Sequence, residues 1–148
     1  MKISDLLSST DVTADLVVVD KQQLLHELAR RAGAVVDVLP DRISAELAKR
    51  EALGSTGMGD GVALPHARFQ QVKKPIGILV RLRKTIDFEA VDGQKVDLVF
   101  LLLLPEAQSD RGLGALACAA RKVREPGVAA ALRSARDGAE VYRILAAS

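Results

Sequence analysis

Apolar positions along the chain change their period several times, and each change marks an element. Leu24, Leu25, Leu28, Ala29 and Ala32 recur at helical spacing. They predict a helix over 20–33, with Asp20 as its cap and Gly33 near its end. Ile43, Leu47 and Leu53 predict a second helix that begins at Asp41 as its cap, after Pro40, and stops at Gly54. Ahead of these, residues 3–8 predict a short helix or turn, and the β-branched stretch 15–20 a short strand. A short strand is expected over 62–64, ending at Pro65-His66. Two longer ones are expected over 76–82 and 96–104. The second is continuously apolar along most of its length, as in a strand buried on both faces. Asp92-Gly93 marks a turn between them. After Pro105 the helical period returns in Leu113, Leu116, Ala117, Ala120 and Val123. Pro126 breaks it, and segments 128–135 and 139–146 resume it. Helices before, strands in the middle and helices after predict an α/β fold in which helices cover a mixed sheet.

Composition narrows this further. A chain of 148 residues with 49% hydrophobic and 27% charged residues is one globular domain, 1–148, with enough length for a full core. A net charge of +2, aromatics at 3% and no Trp argue against a nucleic-acid binder. Cys118 is the one cysteine, so no intramolecular disulfide and no cysteine-rich zinc site can form. The run 98–104 is far short of the ~20 apolar residues that span a bilayer. Residues 1–5 carry no signal-peptide stretch. A cytoplasmic protein without membrane insertion is expected.

The segment 54–61 holds four glycines in eight residues and is expected to be a shaped loop rather than a regular element. Two readings remain open for it: a plain connection, or a nest of N–H groups for an anion. It lacks the lysine of a phosphate loop, and it follows a helix rather than opening one, so nucleotide fingerprints do not fit. Of the two histidines, His26 lies roughly 130° from the centre of its helix's apolar arc and reads as a surface residue. His66 ends a short strand directly after a proline, just past the glycines. Such a solitary imidazole is a poor zinc ligand set, and no metal or cofactor is expected. Arg50 falls on the apolar side of its helix. It either snorkels to water or points to a partly buried anion site beside the glycines. A neutral imidazole, an arginine and a glycine-rich loop together fit phosphoryl handling, with the ring as nucleophile and the guanidinium offering paired donors.

The string from Lys49-Arg50-Glu51-Ala52-Leu53-Gly54-Ser55-Thr56-Gly57 through Leu64-Pro65-His66-Ala67-Arg68 resembles the active segment of enzyme IIA proteins of the phosphotransferase system, in the fructose/mannitol superfamily. The downstream stretches Ile86-Asp87-Phe88-Glu89-Ala90, Asp92-Gly93-Gln94 and Val96-Asp97-Leu98-Val99-Phe100 are similar to its nitrogen-regulatory branch. The resemblance implies a mixed sheet with helices on both sides. It implies that His66 takes a phosphoryl group from an HPr-like carrier protein and that Arg50 steadies it, with Ser55, Thr56, Gly57, Gly59 and Gly61 as further binding positions. It also implies partners of a regulatory kind, such as a potassium-transport regulator or a sensor kinase, chosen by phosphorylation state. Two alternatives are a phosphorylation-silent interaction module and a sugar-specific IIA that passes phosphate to a separate IIB unit. The chain departs from the family pattern at one informative place. A second histidine is usual at the start of the helix after the long strand. Here that position is Gly112, with Arg111 beside it as a compensating candidate, and position 67, commonly glycine, is alanine.

Overall fold

The computed structural model describes residues 1–107 and 110–147, the side chains of 110 and 111 excepted. Among the described residues the sheet has six strands, in the order β1-β5-β6-β3-β2, and β4 also pairs with β6. The strands are β1 (Val12–Leu16), β2 (Gly57–Gly59), β3 (Val62–Ala63), β4 (His66–Phe69), β5 (Ile76–Ile86) and β6 (Val96–Pro105). β6 is antiparallel to β5 and parallel to β3 and β4, and β1 is parallel to β5, so the sheet is mixed. Every residue of β6 except Asp97 is buried, as its continuous apolar run requires.

The helices are α1 (Lys21–Gly33), α2 (Pro40–Ala52), α3 (Asp110–Arg124), α4 (Val128–Ser134) and α5 (Gly138–Ala146). One core cluster joins α1 and α2 to Ala63, Ala67, Phe69, Leu101 and Leu103. The other joins α3, α4 and α5 to Val62, Leu64, Phe100, Leu102 and Leu104. Odd-numbered sheet residues near the site therefore face α1 and α2, and even-numbered ones face α3 to α5, as strand alternation dictates. Helices lie on both sides of the sheet. Among the described residues no helix is long and apolar enough to cross a membrane.

α1 follows the pattern in the sequence. Leu24, Leu25, Leu28, Ala29 and Ala32 are all buried. The Asp20 carboxylate accepts from Gln23 N at 2.8 Å, while Gln23 Oε1 accepts from Val19 N at 2.6 Å, so both exposed ends of the first turn are satisfied. Several expectations are corrected. Pro40, not Asp41, opens α2: Leu39 is its cap and Asp41 lies in the first turn, where a carboxylate still suits the helix dipole. Leu53 is not on the buried stripe. It is the cap residue after the last helical turn and is 84% exposed. The first strand lies at Val12–Leu16 rather than 15–20, with a register break between Thr13 and Leu16 around the left-handed Asp15 (φ 63°). Val17 and Val19 are left exposed. On α3 the buried positions are Gly112, Ala115, Cys118, Ala119 and Val123. Small residues bring this helix close to the sheet, and Leu113 faces outward.

One buried charge ties the two halves together. Arg81, on β5, donates through Nη1 to the carbonyls of Leu132 (2.8 Å) and Ala135 (2.6 Å), around the end of α4. A guanidinium there meets carbonyls left unpaired by the helix and the negative end of its dipole.

Candidate functional site

β3 and β4 run along the same edge of β6 without a change of register. Ala63 faces Val99 and His66 faces Leu102, with Pro65 between them. Pro65 has no N–H to give, but its carbonyl accepts from Leu102 N at 3.0 Å and so keeps the chain on the sheet. β2 covers β3 alone, and β4 is left as an edge strand. His66 therefore opens β4 rather than ending the preceding strand. The four residues of β4 alternate: Ala67 and Phe69 are buried against α1 and α2, while His66 and Arg68 are half-buried on the opposite side.

His66 Nδ1 lies 2.9 Å from the carbonyl oxygen of Leu64. A carbonyl only accepts, so Nδ1 carries the proton and donates it, and Nε2 keeps its lone pair. Burial pushes the imidazole below its ordinary value of 6.5. The Leu64 carbonyl pulls the other way, Arg50 lowers it, Glu51 raises it and Arg68 lowers it again. The ring is a neutral base with one available nitrogen near pH 7.

Glu46, Lys49, Arg50, Leu53, His66, Ala67 and Arg68 line a cavity of about 320 Å³. Three of these side chains are cationic and one is anionic, so the cavity favours an anion. Arg50, in the last turn of α2, is half-exposed, and its Nη1 donates to Gly54 O at 2.8 Å. Its place on α2 sets it beside His66 at the cavity, with its head group partly open to water. Gly54 takes φ 153°, a value open to glycine but rare for other residues.

The glycine segment forms a hairpin, β2 with β3, and not an irregular loop. Several of its N–H groups are engaged within the fold. Thr56 N donates to Glu51 at 3.1 Å, Gly57 N to Ser55 Oγ at 3.1 Å and Asp60 N to Asp92 at 3.1 Å. The hydroxyls are turned inward too: Ser55 Oγ donates to Phe88 O at 3.1 Å, and buried Thr56 Oγ1 donates to Glu51. Ser55, Thr56, Gly57, Gly59 and Gly61 do not line the cavity at His66. The glycines answer close approaches instead. A Cβ at Gly57 would stand 2.6 Å from Ala90 Cβ, and one at Gly61 (φ 78°) 2.5 Å from Arg133 Nη2. The segment is the frame of the site.

Glu51 anchors that frame. Its buried carboxylate accepts from both donors of Thr56 and pairs with Lys21 Nζ at 3.0 Å, and Lys21 in turn sits 4.3 Å over the Phe88 ring. Neither Glu51 nor Arg68 stands out in the sequence alone. For Arg68 the signal was available: it follows His66 by two residues, which a strand places on one side. The side chain of Arg111 lies outside the described residues. His26 is an exposed residue of α1, with Nδ1 3.3 Å from Ser44 Oγ on α2, and takes no part in the cavity. A larger cavity of about 530 Å³ lies between the Gly59-Asp60 turn and α4 and shares no residue with the His66 site.

The family described as "Phosphoenolpyruvate-dependent sugar phosphotransferase system, EIIA 2" matches residues 5–148. A nitrogen regulatory protein of Bradyrhizobium diazoefficiens is 42% identical over 146 residues, covering 99% of this chain and 95% of that one. Among solved structures, the nitrogen regulatory protein IIA-Ntr from Neisseria meningitidis superposes with a TM-score of 0.91 at 33% identity, covering 97% of this chain and 98% of that one. IIA mannitol from Escherichia coli superposes with a TM-score of 0.75 at 16% identity over 94% of this chain and 98% of that one, a likeness of fold.

Proposed function

Because the chain belongs to the EIIA 2 family of the phosphoenolpyruvate-dependent sugar phosphotransferase system, in its nitrogen-regulatory branch, we propose that it is a cytoplasmic phosphoryl acceptor, modified on His66 by an HPr-like carrier, that regulates partners through that state. The observation that carries this reading is the committed Nδ1 of His66, 2.9 Å from Leu64 O, which leaves Nε2 as the reactive nitrogen.

The step is an in-line displacement. The Nε2 lone pair forms a bond to the phosphorus of the carrier's phosphohistidine. The carrier's N–P bond breaks, and its electron pair returns to the carrier's ring nitrogen. The proton stays on Nδ1, hydrogen-bonded to Leu64 O, throughout, so no general base is needed. As the phosphoryl group is handed over, charge on its equatorial oxygens is met by Arg50, held at one nitrogen by Gly54 O and open at the others. Leu53, exposed at the rim of the cavity, and Leu113, exposed on the first turns of α3, supply apolar surface for the docked carrier.

Phosphorylation adds about −1.5 to −2 charges to a patch that is otherwise cationic. A regulatory partner, such as a potassium-transport regulator or a sensor kinase, then meets a surface whose positive charge is largely cancelled, on the same backbone. The test is incubation with a phosphorylated HPr-type carrier. Acid-labile, base-stable phosphate on the protein, lost in His66→Ala, is the expected result. A protein that stays unmodified over hours, under conditions in which a sugar-specific IIA is modified, is a phosphorylation-silent interaction module instead.

A further inference from the structure

We propose that Arg68 is a second phosphoryl-binding guanidinium of this site, occupying space left open by the bare backbone of Gly112. The proposal rests on the phosphohistidine reading above and adds a residue and a property to it.

Three placements carry it. Strand alternation sets Arg68 on the same side of β4 as His66, with about 6.7 Å between their Cα atoms. That separation is within reach of an extended arginine. Arg68 also lines the cavity that holds His66 and Arg50. Finally, its guanidinium lies against α3 where α3 has no side chain. A Cβ on Gly112 would stand 3.4 Å from Arg68 Nη1 and 4.0 Å from Nη2. A Cβ there would be at ordinary contact distance, and side-chain atoms beyond it would compete with this head group for the space. Among the described residues its hydrogen bonding is slight, since Nη1 reaches Pro105 O at 3.5 Å, the long limit of a hydrogen bond. Arg50 and Arg68 come from different elements, α2 and β4, and so approach His66 independently.

The chemistry follows from the guanidinium. It stays protonated at every pH the protein meets, and its planar fork pairs two donors with two phosphate oxygens. It cannot pass a proton to the leaving nitrogen. Two such groups hold a phosphoryl dianion on Nε2 with constant strength across neutral pH. An imidazole in the same space would gain and lose its charge near pH 6.5. The phosphorylated state is therefore long-lived, and the pH dependence of its lifetime comes from the phosphohistidine and not from the groups that hold it. Its decay is attack of water on phosphorus, with the N–P bond breaking and its electron pair returning to Nε2. Such a device suits a protein read by its state more than one that passes phosphate on quickly.

The experiment loads His66 from potassium phosphoramidate, a small donor that needs no docking surface, and follows the phosphohistidine by 31P NMR from pH 6 to 8.5. Arg68→Gln should shorten its lifetime roughly tenfold and raise the pH midpoint of the 31P shift, because a neighbouring positive charge is lost. Arg68→Lys should restore much of both. In parallel, the unmodified protein is titrated with inorganic phosphate while the arginine Nε–H signals are followed, and those of Arg50 and Arg68 should move together. Equal lifetimes and midpoints in wild type and Arg68→Gln, or an Arg68 signal that ignores phosphate, overturn the proposal. If His66 takes no phosphoryl group from either donor, the proposed function fails, and the phosphate titration still decides whether Arg68 binds the dianion.

Discussion

His66 and Leu64 are joined by a hydrogen bond of 2.9 Å from the ring Nδ1 to a backbone carbonyl two residues back. That contact fixes the tautomer, while burial of the ring outweighs the opposing pull of the carbonyl and keeps the imidazole uncharged near neutral pH. It is neutral, and its free nitrogen is Nε2. The 15N shifts of His66 at pH 7.5 should show a protonated Nδ1 and an unprotonated Nε2, and its titration midpoint should fall below 6.5. The sign for stability follows. Between the native value and 6.5 the unfolded chain binds more protons than the folded one, so stability falls as pH drops through that window. Urea midpoints should show wild type losing ground to His66→Ala on going from pH 7 to pH 5. A difference independent of pH, or of opposite slope, would contradict the assignment.

Glu51 is the residue whose loss should cost most among the charged groups near the site. Its removal leaves Lys21, whose side chain is 15% exposed, without its 3.0 Å partner, and strips Thr56 of an acceptor for both of its donors. Glu51→Ala should lower unfolding free energy by about 3 kcal/mol, the scale for breaking a buried pair from one side. Thr56→Val should cost about 1 kcal/mol, the scale for one hydrogen bond. Both are read from urea denaturation.

Gly57 tests whether the glycine run is a frame or a ligand. An added methyl would meet Ala90 Cβ at 2.6 Å and Ala90 Cα at 2.9 Å, so one of the two segments must move. Gly57→Ala should destabilise the protein by about 1–3 kcal/mol through overpacking. Paired with Ala90→Gly, which removes the obstructing Cβ but leaves the Cα at 2.9 Å, it should recover part of that loss. Failure of the pair to couple in a double-mutant cycle would contradict this account.

Leu53 is 84% exposed and touches the His66 cavity. Leu53→Glu should leave the melting temperature within a degree or two, as surface changes do. It should lower kcat/KM for phosphoryl acceptance from the carrier roughly tenfold. Acceptance from phosphoramidate should be unaltered. An equal loss with both donors would mean that Leu53 shapes the site and not the docking.

Elements whose evidence is local were legible in the sequence. α1 announces itself through five buried apolar positions and an Asp20–Gln23 cap, and β6 through an apolar run that leaves only Asp97 outside the core. His66 stood out as a histidine after a proline beside a glycine cluster. What was not legible depended on partners distant in sequence. The helical period carried Leu53 onto the buried stripe, but α2 ends at Ala52 and the residue swings out. Hydrophobicity favoured Leu113 over Ala115, whereas close packing of α3 on the sheet favours the smaller side chain. The four glycines look like freedom, yet two of them are dictated by Ala90 and Arg133, which sequence order does not bring near. Arg68 is hidden in the sequence because Pro65 reads as the end of a strand, whereas His66 begins another.

The most direct measurement is a 31P–15N correlation on 15N-labelled protein after incubation with a phosphorylated HPr-type carrier. The account predicts a single phosphohistidine with phosphorus bonded to Nε2 of His66, absent from His66→Ala. Phosphorus on Nδ1, on His26, or on no histidine at all would contradict it.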